Sequence, residues 1–200
     1  MDHIKMPNPN TIPCRRCKWG KICFFLDKSC TQYASKPNNI YYDSEPCPKF
    51  VLAMSERINQ NNIKLINDDA LNTDADILLH QVNLQGVMGG GIAKQIATTY
   101  PIVEKEYREY KDKKLGNVLF VKTEKYIVGN CFSQTMDFNT DYNALELCLD
   151  KTVEYMKENG LKSIAIPYKY GCGIANGDWD KVLSIFENKI KDYNLKIYKL

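Results

Sequence analysis

From residue 63 onward, buried-looking apolar runs alternate with amphipathic stretches. Ile63 to Ile66 reads as a strand. Asp76 to Val82 reads as another, and its consecutive Ile77, Leu78 and Leu79 suit a strand covered on both faces. Ile92 to Thr99 and Ile102 to Lys111 read as helices, with Pro101 placed to start the second. Asn117 to Lys122 and Tyr126 to Phe132 read as paired strands across a short turn. Tyr142 to Asn159 puts Leu145, Cys148, Leu149, Thr152, Val153 and Met156 on one helical face, and Gly160 is placed to end it. Ile164 to Ile166 reads as a buried strand. After it, Asp178 can cap a helix whose apolar stripe is Trp179, Val182, Leu183, Phe186 and Ile190. Leu195 to Leu200 closes with a strand.

Alternating strands and helices predict an α/β three-layer (α/β/α) domain over residues 60–200. Residues 1–59 break the pattern. They hold PNPN, KPNN and EPCPKF, show little periodicity, and end in a short helix from Phe50 to Ile58. The expectation there is a small loop-rich module, with a boundary near Asn59 to Asn62. No internal repeat of fixed period and no low-complexity tract interrupts the chain.

Composition changes the picture little. Two hundred residues allow one ordinary domain and a small appendage, and a net charge of +3 does not by itself indicate nucleic-acid binding. No apolar run approaches the roughly 20 residues needed to span a bilayer. The N-terminal MDHIKMPNPN lacks the charged and apolar regions of a secretory signal. A cytoplasmic protein is the expectation, with no membrane partner. Eight cysteines in that setting argue for metal binding or free thiols over structural disulfides.

The most informative stretch is ADILLHQVNLQGVMGGGIAKQIATTYP, from Ala75 to Pro101. A buried strand runs into a loop whose Gly89, Gly90 and Gly91 lead into a helix. Backbone N–H groups can come close to an anion there, and the helix N-terminus adds unpaired donors and partial positive charge. His80, Gln81 and Asn83 lie at the strand's carboxyl end, where α/β sheets bind ligands. A second stretch, SIAIPYKYGCGIANGDW from Ser163 to Trp179, repeats the design: strand, loop punctuated by Gly171, Gly173 and Gly177, helix N-terminus. Together these residues resemble the macrodomain family, over about Ile63 to Leu200. The wording GGGIA followed by GCGIANGDW is similar to the subgroup of ADP-ribose 1''-phosphate phosphatases, related to terminal ADP-ribose-glutamate hydrolases.

The resemblance implies a mixed central sheet and binding of ADP-ribose or a derivative, the diphosphate and distal ribose held between the two loops. It implies that Gly89, Gly90, Gly91, Ile92, Ala93, Gly171, Cys172, Gly173, Ile174 and Ala175 surround the ligand. Asp69, followed by Ala70, stands where the family binds the adenine amino group. Asp68 leaves that register open by one residue, and a plain turn is the competing use of an Asp after a strand. Asn83 stands at the distal ribose. His80 would orient substrate or assist catalysis, so His80 and Asn83 are the catalytic candidates. Phe132, Ser133 and Gln134 are candidate ligand-loop residues. Cys172 could be a nucleophile, although its backbone N–H is the more useful group. Two departures weaken hydrolysis of protein-linked ADP-ribose. CFSQTMDFNT carries no Lys where the glutamate-linked hydrolases use one, and Ala175 and Ala93 stand where known hydrolase types place an Asp. A phosphatase acting on ADP-ribose 1''-phosphate, a non-catalytic reader and an ADP-ribosyl hydrolase therefore remain as functions, in that order. Tyr107 and Tyr110, within KEYREYKDK, read as partly exposed packing residues. Tyr168 and Tyr170 flank the second loop and could shape the pocket.

Cys14 and Cys17 have the spacing that lets two thiolates reach one tetrahedral metal, Cys23 follows closely, and Cys47 lies downstream. These four are the expected ligands of a structural zinc. An iron–sulfur cluster is the alternative and Cys30 a fifth candidate. Arg15, Arg16, Lys18, Trp19 and Lys21 interleave the module, which leaves nucleic acid as a secondary partner.

Overall fold

The computed structural model describes residues 62–200. The proposed 1–59 module, its zinc ligands Cys14, Cys17, Cys23 and Cys47, and the helix at Phe50 to Ile58 lie outside the described residues. So does the basic and aromatic patch.

Six strands form one sheet: β1 (Ile63–Ile66), β2 (Ile77–Val82), β3 (Val118–Lys122), β4 (Ile127–Phe132), β5 (Ser163–Pro167) and β6 (Asn194–Tyr198), in the order β1-β6-β5-β2-β4-β3. All neighbours are parallel except β3 and β4, which pair antiparallel from Val118 opposite Cys131 to Lys122 opposite Ile127. The sheet is therefore mixed, and its antiparallel hairpin lies at one edge. β2 sits between β5 and β4, so Ile77, Leu78 and Leu79 are all fully buried, the reason its apolar run is unbroken.

Among the described residues four α-helices cover the sheet: α1 (Gly91–Thr99), α2 (Pro101–Glu109), α3 (Tyr142–Glu158) and α4 (Trp179–Lys189). Leu78, Val82, Val128 and Phe132 share a core with Ile96 of α1 and with Val103 and Tyr107 of α2. On the other face Leu145, Cys148, Leu149 and Met156 of α3 are buried, as are Val182, Leu183 and Phe186 of α4. Phe120 of β3 stacks there on Tyr155 of α3, ring centroids 4.0 Å apart.

Local signals explain the ends of these elements. Pro101 occupies the first turn of α2. Asp141 caps α3 by accepting from Ala144 N–H, and Asp178 caps α4 by accepting from the N–H groups of Asp180 and Lys181. Gly160 follows α3 at φ +66°, a left-handed conformation that favours glycine. Tyr107 departs from the expectation of a partly exposed residue: it is fully buried. It follows Val103 by one helical turn, which carries it to the sheet-facing stripe despite its charged neighbours.

Candidate functional site

The carboxyl ends of β2, β4 and β5 point the same way because these strands are parallel. The loops that follow them enclose a cavity of about 470 Å³. From the β2 side come Gln81, Val82, Asn83, Val87, Gly89, Gly90, Gly91, Ile92 and Ala93. Gln134 and Phe138 come from the segment after β4. Pro167 to Gly171 and Gly173 to Ala175 come from the end of β5 and its loop.

The first glycine loop ends at Gly90, which stands at the N-cap of α1 without a side-chain cap. First-turn N–H groups of α1 thus have no intrahelical partner, and the helix lays its positive end on the cavity. Asn83 holds the other end of the loop. Its Oδ1 accepts from the N–H groups of Gln85 (3.0 Å) and Val87 (3.3 Å), and its Nδ2 donates to Val87 O (2.8 Å).

The second loop is fastened from the β4 side. Thr140 donates its backbone N–H to Ala175 O (2.9 Å) and its hydroxyl to Gly171 O (2.8 Å), and Gly177 N–H donates to the same oxygen (2.9 Å). Gln81 completes the link. Its Nε2 lies within reach of Ser133 O, Ser133 Oγ and Thr140 Oγ1 at 3.2, 3.3 and 3.1 Å. One amide on β2 therefore holds the segment after β4, and Thr140 of that segment carries the link on to the second glycine loop.

The structure brings together Asn83, Gly89, Gly90, Gly91, Ile92, Ala93, Gln134, Gly171, Gly173, Ile174 and Ala175, all of them site residues expected from sequence. It places others elsewhere. Phe132 does not reach the cavity. It is fully buried beside Tyr107 and stacks on Tyr110 at 5.7 Å, because its position on β4 faces α2. Phe138 supplies the cavity's phenyl ring instead, 40% exposed. Ser133 is buried behind the lining as a partner of Gln81. Asp69 and Ala70 are not part of the lining. Asp69 Oδ1 caps the short 3₁₀ turn Ala70–Asn72 by accepting from Leu71 N–H, and Ala70 packs in the core. Cys172 is also outside the lining. Its Sγ donates to Tyr170 O (3.2 Å), and burial first, then the Asp178 charge, pushes its thiol up to about 12. It stays a thiol at neutral pH, which removes the thiolate a nucleophile needs.

His80 lies one strand position below the cavity and is fully buried. Its Nε2 is 2.8 Å from Asn130 Oδ1, and that amide's Nδ2 donates to Leu119 O, so the oxygen faces the imidazole. His80 therefore carries its proton on Nε2, and Nδ1 is a buried acceptor without a partner. Burial lowers its pKa to about 4, against a smaller upward pull from Asn130. The unfolded chain binds the proton more tightly, so between pH 6.5 and 4 folding stability falls as pH falls. The full loss is about 3 kcal/mol. Chemical denaturation across that range should show this slope in wild type and a flatter profile in His80→Gln. Equal slopes would dissociate the effect from His80.

Sequence reasoning missed Val82, Val87 and Lys169, and it did not assign Gln81, Phe138 or Pro167 to the lining, whereas Tyr168 and Tyr170, expected to shape the pocket, do line it. Tyr168 packs edge-on against Trp179 (5.2 Å), with Lys169 Nζ and Lys199 Nζ 5.8 and 5.3 Å from its ring centre. Adjacency to the second glycine loop was the available signal. Among the described residues, the lining holds no carboxylate, imidazole or thiol, and Lys169 is its one ammonium group. The arrangement is a largely apolar, glycine-rich cleft into which backbone N–H groups and a few amides converge, with aromatic surface at its margins, an arrangement suited to a phosphorylated ligand with flat apolar parts.

Fold and cavity thus define an α/β domain with an open cleft at the carboxyl ends of its parallel strands. The Macro domain family model matches residues 79–186, more than half of the chain, and the chain belongs to that family. It is 28% identical over 138 residues to an ADP-ribose 1''-phosphate phosphatase of Lodderomyces elongisporus, covering 61% of this chain and 85% of that protein. A Bacteroides thetaiotaomicron protein of unknown function shares the fold with a TM-score of 0.65 at 24% identity, covering 71% of this chain and 100% of that one. Thermosipho africanus DarTG, solved in complex with ADP-ribose, matches with a TM-score of 0.61 at 21% identity, covering 77% of this chain and 51% of that one.

Proposed function

We propose that this macrodomain binds ADP-ribose or a derivative of it. The observation that carries the reading is the pair of glycine loops facing each other across one cavity, the first ending at an uncapped helix N-terminus. A diphosphate between Gly89–Ala93 and Gly171–Ala175 would meet backbone donors from both sides. Pro167 and Tyr168, on the β5 side, offer flat surface to a base. Asn83 and Gln134, on the β2 and β4 side, offer amides to sugar hydroxyls, with Phe138 beside them. Asp69 Oδ2 is the group left for the adenine amino group, since Oδ1 serves the cap.

A second reading adds turnover: release of the terminal phosphate from ADP-ribose 1''-phosphate. The similarity to the L. elongisporus enzyme favours it. Phosphoryl transfer depends mainly on positioning and charge stabilisation, so a cradle of N–H donors without a side-chain base is compatible with it. His80, neutral and one position below the lining, would act only indirectly, through the adjoining Gln81 and its bond to Asn130. An ADP-ribosyl hydrolase ranks third, because Ala93 and Ala175 line the cavity where known hydrolases carry an Asp.

Calorimetric titration with ADP-ribose tests the binding reading, and absence of heat and of competition by ADP would overturn it. Incubation with ADP-ribose 1''-phosphate, followed by assay of inorganic phosphate, tests turnover. Bound but intact substrate would leave a non-catalytic reader.

On the same reading of the chain, Cys14, Cys17, Cys23 and Cys47 hold one structural zinc. Elemental analysis of the full, untagged chain should give about one zinc per molecule, or iron with visible colour for a cluster. Metal-free protein with five titratable N-terminal thiols would end the proposal.

A further inference from the structure

Asn83 is the lining residue whose side chain is most completely engaged by the protein itself. Its Oδ1 faces three donors: the N–H groups of Gln85 and Val87, and the hydroxyl of Tyr107 at 2.9 Å. The same hydroxyl lies 2.6 Å from Asn83 O, so its single proton is shared between backbone and side chain. On Nδ2, one hydrogen goes to Val87 O. An amide has two N–H hydrogens, so one remains. Asn83 lines the cavity with 6% of its surface exposed. Turning the amide over would point its NH2 at three donors and leave Val87 O facing an oxygen. The orientation is therefore locked.

Tyr107 comes from α2, 24 positions along the chain and on a different element. Its ring is fully buried against Phe132, centroids 5.7 Å apart. Burial raises its pKa to about 12, so the phenol remains a donor throughout the physiological range. Removing that donor would leave Asn83 held by its own loop alone.

We propose that Tyr107 is a positioning residue for ligand binding: its hydroxyl locks the Asn83 amide so that a single Nδ2–H faces the cavity and donates to an oxygen of the ligand's second sugar. The assignment rests on the ADP-ribose reading. The sugar contact is the one the family resemblance implies for Asn83, and it is consistent with Asn83 following β2 and Gln134 following β4 while the aromatic Tyr168 follows β5; what is new is the role of Tyr107. The locked amide accepts a hydroxyl or phosphate oxygen as its partner and rejects a group that offers only a donor.

The test compares ADP-ribose with ADP, which has the base, first sugar and diphosphate but no second sugar. Both are titrated into wild type, Tyr107→Phe, Asn83→Ala and the double variant. Tyr107→Phe should weaken ADP-ribose about tenfold, the loss expected when one hydrogen bond is displaced, and ADP less than about twofold. In the Asn83→Ala background, Tyr107→Phe should have no further effect on ADP-ribose. A purely structural role would weaken both ligands alike, and that outcome overturns the proposal, as do additive losses in the double variant. Tyr107→Phe keeps the buried ring. Should it still unfold, the ADP-ribose-selective loss in Asn83→Ala reads the same contact, and equal losses there are equally fatal. Wild-type protein that binds neither nucleotide overturns the ADP-ribose reading itself.

Discussion

Gly90→Glu should abolish ADP-ribose binding, with a loss of at least about 100-fold, or about 3 kcal/mol. Gly90 is extended at φ −147° and ψ 165°, a conformation open to any residue, so the substitution introduces no backbone strain. Its effect comes from where the side chain must go. A Cβ at Gly90 would lie 3.0 Å from Ile174 Cδ1, across the cleft on the opposite loop. Ile174 is 69% exposed and can rotate away from a single methyl group. Gly90→Ala should therefore weaken binding only moderately. A glutamate continues into the space between the loops and sets a carboxylate beside the uncapped N-terminus of α1. That carboxylate takes the donors a diphosphate would use and repels what it does not displace. Calorimetry reads the affinity, and the melting temperature should stay near that of wild type because the residue packs nothing. Unchanged affinity in Gly90→Glu would show that the diphosphate does not pass between these loops.

How much of this was legible depended on the kind of signal. β2 and β5 announced themselves as short unbroken apolar runs, because central parallel strands are covered on both faces. α3 was legible from its stripe and from Gly160 at its end, whereas the Asp141 cap was not read from sequence. Both glycine loops were legible from composition, since close backbone approach needs the absence of a side chain. The side chains around them were harder to read. Phe132 and Phe138 are six positions apart, and what separates them is that β4 ends at Phe132. Phe132 shares its face of β4 with Val128 and Asn130 and turns to α2, whereas Phe138 lies beyond the strand and turns to the cavity. His80 shares parity with Leu78 and Val82, which marks a core position. Sequence pattern alone does not separate that core position from the substrate-orienting or catalytic role expected of it. Gln81 and Thr140 act through hydrogen bonds to segments 52 to 59 and 31 positions away, which no local pattern records. Tyr107 was hidden by the charges of KEYREYKDK. Asp69 illustrates the opposite case: a local turn was the competing use open to it from sequence, and the structure shows that cap.

Gly177→Ala should damage the second loop as Gly90→Glu blocks the first, to a lesser extent and by a different route. Gly177 closes the loop by donating its N–H to Gly171 O, and Gly171 itself stands at φ +67°. A Cβ on Gly177 would lie 2.6 Å from Gly171 O and 3.1 Å from both Gly171 C and Thr140 Oγ1. The nearest atoms belong to backbone, so no rotamer change relieves the contact. Either the chain opens between Gly171 and Gly177, or Thr140 gives up its bond to Gly171 O. Opening costs the loop its shape, and losing Thr140 also frees Gln81, which shares that hydroxyl. Overpacking of this kind costs about 1–3 kcal/mol of stability. The ligand affinity should fall more than tenfold, because Gly173 to Ala175 lie inside the displaced segment. Denaturant titration and calorimetry on the same variant separate the two effects. A lowered stability with unchanged ADP-ribose affinity would mean that the second loop frames the cavity without touching the ligand, and the two-loop reading of the site would have to be abandoned.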